Sequence, residues 1–192
     1  MTTVYIFTPT TPPETPVFTA DEIRAGIRCD ANIPDEQLEQ LSNAALLSCS
    51  RFCGRAWGLW GFEVQCYVAG IVPLPLAVPL VSLTVKYQPA GSVELVDLTP
   101  EQFTLSTELN PPYLNLEAAP AGVLYAATYQ AGTAAIPEDV QKAVMATTAW
   151  YFNQPDGGLP ETKSAAQLGS GRLPPMIQSI LAGYRFDVRS VL

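Results

Sequence analysis

Eighteen prolines punctuate this chain, and their positions limit where helices and strands can run. A proline inside a helix removes a backbone donor and clashes with the preceding turn, whereas in the first turn it costs nothing. Pro9, Pro12, Pro13 and Pro16 therefore keep residues 1–17 out of a helix and predict an extended arm. Pro34, Pro137 and the pair Pro174-Pro175 each open a stretch with apolar residues at helical spacing. Pro89, Pro111, Pro112 and Pro120 instead separate short β-rich runs. The resulting order of helices, strands and helices predicts an α+β fold: a small bundle of about four helices with an inserted antiparallel β lobe.

The helix starts carry local signals. Thr19 and Glu22 have the spacing of a capping box, with Phe18 and Ile23 placed as a hydrophobic staple around it, and this short helix ends near Cys29. A second helix is expected from Pro34 to Cys53, with Leu38, Leu41, Ala45, Cys49 and Phe52 on one stripe and Gly54 as its stop. Trp57 and Trp60 follow in a Gly-rich corner expected to pack under the helices. A third helix begins at Pro137 with Glu138 and Asp139 complementing its dipole. Its expected buried side is Val140, Ala143, Val144, Thr147, Trp150 and Tyr151. A fourth opens at Pro174-Pro175 and is expected to bury Ile177, Ile180, Leu181 and Tyr184.

Between them, Phe62–Val68, Ser82–Tyr87, Val93–Val96, Gln102–Leu105 and Val123–Tyr129 read as strands of a lobe over about residues 62–130. The Gly-rich segment of about residues 154–172 reads as a mobile loop.

Charge is scarce and uneven. Hydrophobic residues make up 48% of the chain and charged residues 15%, so part of the surface is expected to be covered by other subunits. The net charge of −8 opposes a firm grip on nucleic acid. From Gln88 to Gln141 there is no Lys or Arg, yet Glu94, Asp97, Glu101, Glu108, Glu117, Glu138 and Asp139 fall there. From Lys163 onward Lys163, Arg172, Arg185 and Arg189 face only Asp187. Two surfaces of opposite sign suit the registration of partners, although ordinary solvated faces would look the same. The N-terminus lacks the pattern of a secretory signal, and the most apolar stretch, Val68 to Val81, is too short for a bilayer and holds Pro73, Pro75 and Pro79. A soluble, cytoplasmically made chain is expected.

Chemistry is hard to find. With no histidine, Ser-His-Asp and Cys-His catalysis are unavailable in their usual form. Gly169-Ser170-Gly171 has neither the preceding strand nor the Lys of a phosphate loop. Cys29, Cys49, Cys53 and Cys66 form no CxxC pair and read as small buried hydrophobes rather than zinc ligands. The carboxylates Asp35, Glu39, Glu138 and Asp139 suit helix starts. No enzyme, cofactor or metal is expected.

In order along the chain, FTADEIRAGIRCD, DEQLEQLSNAALLSCSRFCGRAW, PLPLAVPLVSLTVKY, LTPEQFTL, VLYAATYQAGTAAIPEDVQKAVMATTAWYFNQ and LPPMIQSILAGYR resemble the head–tail connector (head-completion adaptor) proteins of tailed bacteriophages. The similarity runs from Phe18 to Arg185, an adaptor domain over residues 18–185. The resemblance implies a ring of identical subunits, matched to a twelve-fold portal, in the neck of a virion. Such a ring extends the DNA channel, lets genomic DNA pass without holding it, and offers a platform to the next neck or tail protein. It also implies portal docking through the C-terminal tail 186–192 and the residues before it: Tyr184, Arg185, Phe186, Val188, Arg189, Val191 and Leu192. Glu94, Asp97, Glu101 and Glu108 are candidates for a channel-lining or tail-facing acidic surface, and Val4, Tyr5, Ile6 and Phe7 for an arm that adds a strand to a neighbouring subunit, with a disordered tail as the other reading of that arm. The alternatives are another neck component, a stopper or tail-completion protein, and a small soluble α+β binding module.

Overall fold

A computed structural model describes residues 5–29, 32–107, 111–153 and 173–185. The chain is α+β and divides into two compact units, one from residues up to 12 and 59–132, the other from residues 13–58 and 133–185. No helix among the described residues is long and apolar enough to cross a membrane.

The first unit is built from strands β1 (Tyr5–Thr11), β2 (Trp60–Cys66), β3 (Ile71–Pro73), β4 (Leu80–Pro89), β5 (Val96–Asp97), β6 (Thr104–Ser106), β7 (Tyr113–Asn115) and β8 (Gly122–Ala131). A five-stranded antiparallel sheet runs β1-β2-β8-β4-β5, and a three-stranded one runs β3-β7-β6. In β2 the side chains of Trp60, Phe62, Val64 and Cys66 are buried, the every-second-residue rhythm of a strand with one face in a core. Phe62 packs at 5.4 Å from Tyr129 on β8 and 5.4 Å from Phe7 on β1. The Tyr129 hydroxyl donates to the Pro75 carbonyl at 2.5 Å, so this buried phenol keeps a partner. Val72, Leu74, Leu114 and Leu116 give the smaller sheet its own buried apolar residues.

The N-terminal arm is extended and forms the edge strand β1. Tyr5, Ile6 and Phe7 pair with Cys66, Gln65 and Val64 of their own chain, and the pairing continues to Thr11 opposite Gly61. The cause is local: Phe7 finds an aromatic surface on Phe62, and Gly61 leaves room beside Thr10 and Thr11. Val4 lies outside the described residues.

The second unit holds α1 (Ala20–Ile27), α2 (Asp35–Cys53), α3 (Glu138–Phe152) and α4 (Pro175–Leu181), with a single 3-10 turn, Ala182–Tyr184, after α4. The capping box forms as the spacing predicts: the Glu22 amide donates to Thr19 Oγ1 at 3.3 Å and the Thr19 amide to Glu22 Oε2 at 2.8 Å. Phe18 packs against the cluster of Ile23, Ile27 and Leu38. Arg24 ties α1 to the start of α2 through Asp35 and through the Ile33 carbonyl at 2.9 Å. Between α2 and α3, Ser48 and Tyr151 share a 2.6 Å hydrogen bond, and Cys49 meets Thr147 at 3.6 Å. On α4, Ile177 and Leu181 are buried, but Ile180 is 37% exposed and Tyr184 only half-buried. The helix has seven residues and turns one narrow face inward, so Ile180 falls outside it. Phe52 and Trp150 likewise end half-buried rather than buried.

Candidate interaction surfaces

Among the described residues no cluster of His, Cys, Asp or Glu is arranged to hold a metal ion. Cys49, Cys53 and Cys66 are buried and Cys29 half-buried, all as free thiols. Burial pushes the Cys49 thiol up to about 12 and raises Cys53 and Cys66 as well, which opposes formation of a nucleophilic thiolate.

One surface lies at the end of the five-stranded sheet. The register sets Tyr5, Cys66, Tyr125, Tyr87 and Val96 in one row across the strands. Past that row project Tyr67 and Val68 after β2, Val123 at the start of β8, and the β4–β5 hairpin with Val93, Glu94 and Leu95, all exposed. The hairpin is internally braced. Gln88 donates to the Ser92 carbonyl at 2.6 Å, the Ser92 amide to Pro89 at 3.1 Å and the Glu94 amide to Ser92 Oγ at 3.0 Å. Gly91 supplies the positive φ (82°) that the turn needs. Tyr125 fixes the approach to β8 by donating to the Pro120 carbonyl at 2.9 Å and accepting from Gly122 N–H at 3.0 Å.

Of the expected acidic set, Glu94, Asp97 and Glu101 are all exposed. Asp97 pairs with Lys86 at 3.4 Å, one row in from the end. Glu101 sits in the 3-10 turn Pro100–Gln102, and hydrogen bonds from the Thr99 side chain and then its own backbone hold its carboxyl below the ordinary value. Glu108 lies outside the described residues.

The second surface is the end of the helical unit where α2 and α4 finish. Trp57 meets Tyr184 edge-on at 5.8 Å, the Arg55 guanidinium stands 4.6 Å over the Trp57 ring, and Arg185 stands 5.5 Å over Phe52. Stacking of this kind holds each guanidinium over an aromatic face. Burial lowers Arg51 in the last turn of α2. Along α4, Met176 is 69% exposed and Ile180 lies one turn on, away from Ile177 and Leu181. Of the expected docking residues, Tyr184 and Arg185 belong to this end, while Phe186, Val188, Arg189, Val191 and Leu192 lie outside the described residues, as does the loop 154–172. Sequence reasoning singled out neither Arg55 with Trp57 as a pair nor Met176 with Ile180 as an outward ridge. The second was available from the i,i+4 spacing, but not which face turned inward.

No family model matches the chain, and no curated protein does. Among solved structures it is similar to a chain of the "Neck of empty GTA particle computed with C6 symmetry". That match has 16% sequence identity and a TM-score of 0.63, and it covers 94% of this chain and 95% of that one. At this identity the likeness establishes a shared fold.

Proposed function

We propose that this chain is a structural protein of a virion neck, a head–tail connector adaptor that forms a ring under the portal, extends the DNA channel and gives the next neck or tail protein its platform. The observation that carries this reading is the length of the fold agreement. A chain from a particle neck shares the fold over nearly all of both chains, so the likeness extends beyond one common motif. The ordered sequence resemblance and the absence of histidine point the same way. On this reading the protein works without a cofactor, is made in the host cytoplasm and resides in the virion.

The exposed carboxylates Glu94, Asp97 and Glu101 are assigned to the surface turned toward the channel or the tail, where they repel passing phosphates. The C-terminal segment from Tyr184 is assigned to the portal. The test is electron microscopy of the chain mixed with its portal protein. A ring of density below the portal, lost on deleting residues 186–192, is the expected result. A chain that stays monomeric with portal present overturns the reading. Binding to a preassembled portal–adaptor neck but not to portal alone would instead identify a stopper or tail-completion protein.

A further inference from the structure

The hairpin end of the five-stranded sheet and the outer face of α4 are two apolar surfaces of opposite charge. Adjacent strands are about 4.8 Å apart, so the sheet end from β2 to β5 is roughly 14 Å across. Within that width stand Tyr67, Val68, Val123, Leu95 and Val93, the last 93% exposed on a braced turn. Single exposed hydrophobes are ordinary, but a group at one strand end is a patch. Its rim is acidic. Glu94 lies in the hairpin, and Glu117 follows Leu116, whose amide donates to the Gly70 carbonyl at 2.9 Å just past Val68.

The α4 face has the complementary character. Met176 and Ile180 make an outward apolar ridge that leads to Arg185, and Arg55 stands over Trp57, which meets Tyr184. No Asp or Glu occurs in residues 40–62, 140–153 or 173–185, which supply α2 beyond its first turns, α3 beyond its start, and α4.

We infer that the acidic, apolar hairpin end of one copy seats on the basic, apolar α4 face of a second copy of this chain. Apolar area supplies the attraction, and opposite charge at the rim selects the register. Because the two surfaces differ, the contact is heterologous and repeats from copy to copy until it closes. This inference rests on the ring reading above and supplies its subunit contact. Of the acidic set assigned there, Glu94 lies at the rim of this contact and Asp97 one row in from it.

Sedimentation velocity on the wild-type chain, Val93→Asp, Glu94→Arg, Arg185→Glu and the Glu94→Arg/Arg185→Glu double variant tests the contact. The wild type is expected to associate with rising concentration, each single variant to weaken association about tenfold, and the double variant to recover part of the loss. A second measurement does not depend on affinity. Chains carrying Val93→Cys and chains carrying Ile180→Cys, mixed and mildly oxidised, should form a disulfide-linked pair that a Glu36→Cys control does not. Association that the single variants leave unchanged, or a mixed pair no more abundant than the control, overturns the contact while the ring reading stands. A wild type that is monomeric alone and also with portal overturns both.

Discussion

Cys49 sits between α2 and α3 with its sulfur against the Thr147 hydroxyl, and burial is the main reason its thiol is pushed up to about 12. Burial raises Cys53 and Cys66 in the same direction, and the phenols of Tyr129 and Tyr151 with them. In an unfolded chain these thiols ionise near 9.0 and the phenols near 10.0. An acid whose folded value is raised contributes stability that is fully present below its unfolded value and is lost as pH climbs toward the folded one. The urea midpoint should therefore hold through pH 8 and fall steadily from about pH 9 upward. Alkylation should follow the same order. At pH 8 one thiol per native chain, the half-buried Cys29, reacts readily, and all four react in denaturant. Mass spectrometry counting three or four rapid adducts on the native chain would contradict this burial pattern.

Helix α1 has eight residues, too few to persist on its own, so its ends and its one packed face must hold it. Thr19 supplies the cap, Arg24 reaches Asp35, and Ile23 and Ile27 pack with Leu38 and Met145. Thr19→Ala should cost about 1 kcal/mol by denaturant titration, with the m-value unchanged. Hydrogen bonds from Thr19, first the backbone and then the side chain, hold the Glu22 carboxyl below its ordinary value. Its contribution is thus present above that ordinary value, near 4.5, and fades on acidification, so the penalty of Thr19→Ala should shrink below pH 4.

This helix was legible in the sequence because a cap, a staple and an acidic first turn are all short-range signals. The long strands β4 and β8 were legible for a similar reason, since their β-rich runs end at turn residues. Strands β3 and β7 have three residues each, too short for a period, and β3 gains its identity from pairing with β7 some forty residues away, whereas the run Gln102–Leu105 reached two of the three residues of β6. Counting charges revealed the acidic stretch. It did not reveal that Tyr67, Val93 and Val123 share one end of a sheet, because only strand register brings them together. The stacking of Trp57 on Tyr184 is invisible for the same reason.

At the scale of the molecule, the proposed channel role sets two requirements that a net charge of −8 suits: DNA must pass, and it must not stick. Among the described residues of the first unit, Glu63, Glu94, Asp97, Glu101 and Glu117 stand against Lys86 alone, and that lysine is already engaged by Asp97. Nonspecific DNA binding needs several cations to displace counterions from phosphate, and its strength falls steeply with salt according to their number. The described residues of the first unit offer no such group, and in the second Arg24 is paired with Asp21 and Asp35 while Arg185 and Arg55 stand over Phe52 and Trp57. Fluorescence anisotropy with a labelled duplex should therefore register no binding by the wild-type chain even at low salt. Asp97→Lys with Glu101→Lys replaces two exposed carboxylates, frees Lys86 from its partner and should create weak binding that salt abolishes. In assembled particles the same pair of changes should slow DNA ejection, because a wall that repelled phosphate now holds it. Wild-type affinity tighter than about 1 µM at physiological salt, beyond the usual nonspecific range, would show that the acidic surface does not govern the encounter.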